Sequence, residues 1–316
     1  MGIISKIKLN YYNNLFQIYL KDKKNNDFIN LFAKCCAGSN WMSDLAMNYM
    51  NLAIQMPEGE KIFNKNLCWI NSYDLADTAY INEFINFYLK SNEYSLNTYS
   101  QFLSSQEKII NKFNKLTFED FQKNSYYLQF LLSNSEHCST KFINSSAAFF
   151  ETADGKMFTH PRLTSCYIYI IKNPNEIFKK FLHSFNNQAD LALHKILNFD
   201  QKPEKINHDI IIEEMQSDWA TNVSSWTNEN VVNTFRGLII KYEDLIDDPY
   251  DSFASIIFHL NEAGLNIKLD YKKIEDFIQT NKPDKQQYDM DITSGSKKRL
   301  SRTLLKEAQK YGYTFS

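Results

Sequence analysis

The spacing of apolar and polar positions changes period along the chain, and those changes mark out alternating elements. Asp27-Phe28-Ile29-Asn30-Leu31-Phe32-Ala33 is a short apolar run that reads as a buried strand. After a loop, Trp41, Leu45, Asn48 and Leu52 recur at helical spacing over Trp41 to Ile54, which predicts a strand, loop, helix unit. From about 76 to 132, apolar and aromatic side chains fall three and four residues apart, as in Ile81, Phe84, Ile85 and Tyr88, and predict a helical block. Phe142-Ile143 begins another short apolar stretch. Ser165-Cys166-Tyr167-Ile168-Tyr169-Ile170-Ile171 is β-branched and aromatic almost throughout, is followed at once by Lys172-Asn173-Pro174, and predicts the central strand.

Downstream, Glu176 to Leu197 reads as helical, Ile206 to Val223 as a mostly helical connection, and Gly237 to Tyr242 as a further strand. Asp247-Asp248-Pro249 supplies an N-cap and a proline at the first helical position, and the helix it opens ends near Gly264, which suits a left-handed cap. Strands alternating with helices imply the α/β class, with a central parallel sheet, helices on both faces and sites at the carboxyl ends of strands; one large or two small domains fit the length.

Composition narrows the function classes. The 316 residues are 43% hydrophobic and 15% aromatic, and 35 basic against 37 acidic residues leave a formal charge of −2. A chain this long buries roughly three quarters of its unfolded surface and needs neither disulfides nor a structural metal. The near-neutral balance argues against nucleic-acid binding. Five irregularly spaced cysteines, with no C-x-x-C pair, give neither a disulfide framework nor a zinc site. Lys6 and Lys8 are followed by the polar Asn10-Tyr11-Tyr12-Asn13-Asn14, unlike a signal-peptide core, and no apolar run approaches the ~18 residues of a membrane span. The expectation is a cytoplasmic, reduced protein with no membrane insertion.

The eight glycines are too scattered to write G-x-G-x-x-G or G-x-x-x-x-G-K-[ST], and neither G-x-S-x-G nor H-E-x-x-H occurs. Three segments in order do resemble the sulfotransferase family, whose members move a sulfuryl group from 3′-phosphoadenosine 5′-phosphosulfate (PAPS) to a hydroxyl or amine. Trp219-Ala220-Thr221-Asn222-Val223-Ser224-Ser225-Trp226, with Tyr242-Glu243-Asp244-Leu245 and Asp248-Pro249, is similar to the family's W-x3-V-x2-W helix and its Y-E-D-L and D-P segments. Asp154-Gly155 through Phe158, and the strand ending in Lys172-Asn173-Pro174, resemble the region ending in R-[DN]-P. Ala37-Gly38-Ser39-Asn40-Trp41 resembles the P-K-[ST]-G-x-x-W phosphosulfate loop. The plain reading of Trp219, Val223 and Trp226 is one buried helix face.

The resemblance implies a single sulfotransferase-like domain over 1–316 with a P-loop-related architecture, PAPS as donor, a small hydroxylated acceptor and no metal. It carries the phosphate-binding loop to Gly38, Ser39, Asn40 and Trp41, where backbone N–H groups of a strand-to-helix loop would meet an anion. Counting back from Trp41 puts Cys36 in place of the loop lysine; Lys34 reaches it only across two extra residues, and is otherwise a surface lysine beside packed cysteines. Ser146 stands at the place of the catalytic histidine and Asn144 at the motif's lysine. A serine hydroxyl is no base near neutral pH without a partner, which leaves His137 or His160 as substitutes. For the 3′-phosphate, Lys172 and Lys180 take the arginine and serine positions, and Lys for Arg keeps the charge while losing the bidentate fork. Ser294-Gly295-Ser296-Lys297-Lys298-Arg299 resembles the basic terminal loop, implicating Gly295, Ser296, Lys297 and Lys298. Trp69, Tyr73, Tyr80 and Tyr99 are candidates for an acceptor pocket. Altered catalytic positions also leave open a second reading, a catalytically inactive binding or interaction protein on the same fold.

Overall fold

The computed structural model describes residues 3–36, 38–56, 65–89, 94–105, 126, 128–133, 140–151, 157–197, 216–283, 288 and 290–315. Three amino-terminal helices, α1 (Ile3–Lys21), α2 (Asn25–Cys36) and α3 (Asn40–Gln55), precede β1 (Leu67–Ser72), a 3-10 turn (Leu75–Thr78) and α4 (Ala79–Tyr88). Then come β2 (Tyr94–Thr98), α5 (Tyr99–Ser105), β3 (Thr140–Ser145), β4 (Thr164–Ile171), α6 (Pro174–Ser184), α7 (Ala189–Leu197), α8 (Trp219–Trp226) and α9 (Glu229–Phe235). The chain closes with β5 (Gly237–Lys241), α10 (Tyr242–Asp247), α11 (Pro249–Leu260), α12 (Tyr271–Thr280) and α13 (Ser294–Gln309).

The five strands form one sheet in the order β2-β3-β1-β4-β5, and every pair is parallel. All side chains of β1, β3 and β4 are buried, as both-face coverage requires. On one face Cys68, Ile70, Phe142, Ile168 and Ile170 pack against Phe84 of α4, Phe253 and Ile257 of α11, and Phe277 of α12. On the other, Trp69, Tyr167 and Tyr169 meet Trp219, Val223 and Trp226 of α8, Leu300 and Leu304 of α13, and the amino-terminal helices. The α/β class with helices on both faces is therefore the observed architecture; the strands expected over 165–171 and 237–242 form β4 and β5, and the apolar stretch at Phe142-Ile143 lies within β3.

Three expectations are corrected. Residues 27–33 are not a strand but lie within α2: Phe28, Leu31, Phe32 and Cys35 fall at i, i+3, i+4 and i+7, and all four are buried on one face. A short apolar run fits both periods, and here the twelve-residue length decided for the helix. The first strand is instead β1, which moves the first strand-to-helix loop about 35 residues along, from Gly38 to 73–78. The block expected to be helical from about 76 to 132 contains a strand, β2, paired with β3 from Tyr94↔Thr140 to Thr98↔Asn144; residues 106–125 lie outside the described residues. The helix expected over 176–197 is two, because Asn186 and Asn187 take positive φ of 51° and 65° and reverse the chain. Of the 206–223 connection, 206–215 lie outside the described residues and α8 begins at Trp219. Pro249 opens α11 as expected, and Gly264 takes φ 90° at its end.

Candidate functional site

Strand β1 lies between β3 and β4, so the chain leaves β1 toward one edge of the sheet and leaves β4 toward the other. A crevice opens where such connections part, above the carboxyl ends of β1 and β4. From β1 it receives the turn Tyr73-Asp74-Leu75-Ala76-Asp77-Thr78, and from β4 Lys172 and the start of α6. Asp74 caps the turn through Oδ1, which accepts from the Ala76 amide at 3.1 Å. Pro174 opens α6, whose cap Asn173 accepts from the Asn175 amide at 2.9 Å. One helical turn spacing twice over then brings Lys180 back toward the crevice.

Two ion pairs tie these elements together. Lys172 Nζ donates to Asp77 Oδ1 at 2.7 Å, with side-chain exposures of only 12% and 3%. Lys180 Nζ bonds Asp74 Oδ2, also largely out of solvent. The Lys172 ammonium sits 4.0 Å from the centroid of the Tyr242 ring, and Ser72 Oγ donates to Asp77 Oδ2 at 3.4 Å. Burial pushes the Asp77 carboxyl up to about 6, against the pull of Lys172. Burial works against the Lys172 ammonium as well, but Asp77 outweighs it and holds the lysine above its ordinary value. Lys172 is thus the firmly charged partner, while Asp77 titrates near neutrality.

Glu243 ties α10 to the same edge. Its Oε1 accepts from the Asn173 amide at 2.9 Å and its Oε2 from Tyr313 Oη at 2.7 Å. Burial and that carboxylate push the Tyr313 hydroxyl well up, so it acts as a fixed donor. A cavity of about 330 Å³ lies against Asp77, Tyr80, Glu83, Lys172, Lys180, Tyr242 and Lys282.

Lys172 and Lys180 are therefore brought together at one cavity. The other candidates are dispersed. Gly38 lies in a helix-to-helix turn, Ser39 is the exposed N-cap of α3, and Trp41 is half-buried against Tyr12, so the segment with Asn40 is no strand-to-helix loop. Lys34 is exposed on α2, while Cys35 and Cys36 are buried, and burial pushes the Cys35 thiol up to about 11 despite Lys34. Ser146 follows β3 on the carboxyl edge, two strands or about 10 Å from the end of β4; its carbonyl accepts from Asn222 Nδ2 at 2.8 Å. His160 precedes β4 on the opposite edge of the sheet, roughly 26 Å of strand from Lys172. Burial and the Arg162 charge hold it down to about 4. His137 lies outside the described residues.

The basic segment at the carboxyl end is not a loop. Thr293 caps α13 by accepting from the Ser296 amide, Gly295 and Lys298 are exposed in its opening turns, Ser296 is buried, and Lys297 is half-buried. Arg299 pairs with Asp190 of α7 at 2.9 Å. Trp69, Tyr73 and Tyr99 are core side chains, with Trp69 Nε1 donating to Thr164 Oγ1 and Tyr73 Oη to the Lys195 carbonyl; Tyr80 lines the cavity.

The sequence did not single out Asp74 and Asp77 as partners of the two lysines, nor the Glu243–Tyr313 pair that holds the Asn173 amide beside them. A signal for the first two was present: Leu67-Cys68-Trp69-Ile70 is an apolar run closed by Asn71-Ser72-Tyr73-Asp74, the pattern of a buried strand entering a turn. No helix among the described residues is long and apolar enough to cross a membrane, and among them no group of three or more His, Cys, Asp or Glu is placed to hold a metal ion.

No protein-family model matches the chain, and neither does any curated protein. Among solved structures, the crystal structure of mouse sulfotransferase SULT7A1 complexed with PAP is similar at 15% identity and a TM-score of 0.39, over 69% of this chain and 66% of that one. The chain thus spans just under two thirds of that protein's length, and a likeness of this degree assigns neither ligand nor activity.

Proposed function

We propose that this chain is a sulfotransferase-like protein that has kept the 3′-phosphate half of a 3′-phosphoadenosine nucleotide site and lost the half that transfers the sulfuryl group. One observation carries the reading: Lys172 and Lys180, eight residues apart, meet at one cavity on the carboxyl edge, yet each is bonded to an aspartate of the turn after β1. Lysines at the arginine and serine positions of R-[DN]-P supply the charge for a phosphate monoester. The turn that would cradle the phosphosulfate carries Asp74 and Asp77, two carboxylates that repel it. Ser146 at the place of the base has no proton-accepting capacity of its own near neutral pH. No disulfide joins Cys35, Cys36, Cys68 or Cys166, which fits a reducing, cytoplasmic setting.

An anion entering this cavity displaces internal carboxylates, so 3′,5′-adenosine bisphosphate is expected to bind weakly and more tightly once they are neutralised. Isothermal titration on the wild type and on Asp74→Asn/Asp77→Asn tests the nucleotide half, with an expected gain of tenfold or more. A double variant that takes up no nucleotide at millimolar concentration removes that half. A labelled-donor assay tests the other half: sulfate transfer to a hydroxyl acceptor that Lys172→Ala abolishes would make the chain a transferase.

A further inference from the structure

Strand β5 is the last strand of the sheet, and among the described residues nothing pairs with its outer edge. The Tyr167 amide bonds the Arg236 carbonyl, and the register runs Tyr167↔Gly237 to Ile171↔Lys241. In a parallel ladder that parity turns the N–H and C=O of Leu238 and Ile240 toward β4 and those of Gly237 and Ile239, with the N–H of Lys241, outward, about 6.6 Å apart, while the Lys241 carbonyl opens α10 as its N-cap. Beside this edge runs an open groove of about 600 Å³ lined by Leu238 to Lys241, by Ser252 and Ser255 of α11, and by Tyr311. Its rim carries Asp244, Asp247, Asp248 and Asp251 against the single ammonium of Lys241.

We infer that the β5 edge is a docking site for an extended, basic segment of a partner protein, which adds to the sheet as a sixth strand. Exposed edges with outward amides and carbonyls template strand addition, and natural proteins blunt them with lysines, prolines or bulges. Here the ladder to β4 keeps its register through five residues, the middle residue of the edge is Ile239, and four aspartates border it. The carboxylates select the occupant: a strand with Lys or Arg at alternate positions places its cations along the rim and its other side chains against Ile239 and Tyr311. They also select against a second copy of this chain, because antiparallel pairing of β5 with itself brings two acidic rims together.

The test uses the full chain and a fluorescently labelled acetylated hexapeptide of alternating lysine and valine. Anisotropy should show saturable binding at low ionic strength, and hydrogen exchange should slow at the Ile239 and Lys241 amides while those of Leu238 and Ile240 are unchanged. Ile239→Pro removes one outward amide without touching the ladder to β4 and should weaken binding tenfold or more. Asp244→Asn/Asp251→Asn should weaken it about tenfold and flatten its salt dependence, which keeps the test open if the proline variant does not fold. Absence of binding at millimolar peptide overturns the inference, as does binding that leaves the two amides unprotected. Concentration-dependent dimerisation in sedimentation that protects the same amides assigns the edge to a second copy and overturns it as well.

Discussion

Asp77→Asn probes the cost of holding a carboxylate beside Lys172 under the carboxyl edge. Asp77 keeps its proton up to about pH 6 in the fold but only to 3.8 in the unfolded chain. The folded state therefore binds the extra proton, and its stability is greatest in acid, falls as pH rises through 3.8 to about 6, and is level above that window. Fully ionised, the group costs the fold about 3 kcal/mol, at about 1.4 kcal/mol per tenfold change in proton affinity. Most of that cost is the withdrawal of a side chain only 3% exposed from water, and the 2.7 Å bond to Lys172 recovers part of it. Between about pH 4.5 and 7.5 the linkage integrates to a loss of about 2 kcal/mol. Asparagine cannot titrate, so the difference in unfolding free energy between wild type and variant should change by that amount over the window. Urea unfolding at closely spaced pH values, with slopes compared to confirm two-state behaviour, measures it. Titrating groups that do not face Asp77 are common to both proteins and cancel. A difference that stays constant from pH 4.5 to 7.5 would refute the placement of an ionisable, buried Asp77 against Lys172.

Lys172→Met removes the cation that holds Asp77 down, so Asp77 should keep its proton to higher pH; the variant should lose more stability at pH 8 than at pH 5, and a loss independent of pH would count against the pairing. Trp226→Ala empties a fully buried site stacked on Tyr169 and packed against Phe149, Phe158 and Tyr167; chemical denaturation should show a cost of roughly 3–5 kcal/mol, and a cost below about 1 kcal/mol would place that side chain outside the core. Gly237→Ala drives a methyl group into the Tyr167 ring, whose hydroxyl donates to the Trp226 carbonyl, and should cost about 1–3 kcal/mol, whereas Gly295→Ala, with open space around it, should be near neutral by thermal melting. Equal melting temperatures for the two glycine variants would remove the close approach at Gly237.

The elements that sequence alone placed are those whose local signals agree with one another. Residues 165–171 are β-branched and aromatic on both faces because β4 is covered on both, and Pro249 and Gly264 mark the ends of α11 through backbone limits that hold in any context. The α8 face of Trp219, Val223 and Trp226 was legible for the same reason, since three large apolar side chains at helical spacing have one way to be buried together. Residues 27–33 were misread because a short apolar segment satisfies both periods, and 94–98 because an alternation as short as Tyr94 and Leu96 is lost within a longer stretch of helical spacing; only pairing with a neighbouring strand, or its lack, separates the two states. The exchange at 27–33 moved the expected strand-to-helix loop from Gly38, which a helix feeds, to the turn after β1.

What the sequence determined by itself is thus the class of fold and the central strand, both written in local pattern, whereas Lys172 just before α6 and Lys180 within it were singled out only by the resemblance. Which residues face those lysines was decided only by tertiary structure. Lys172 lies 95 residues from Asp77 and Lys180 106 from Asp74, and no local period links such positions. The order β2-β3-β1-β4-β5 sets β1 beside β4, and their adjacent carboxyl ends bring two acidic and two basic side chains into one partly desolvated crevice. There charge is compensated by proximity, which the chain's net −2 does not reveal.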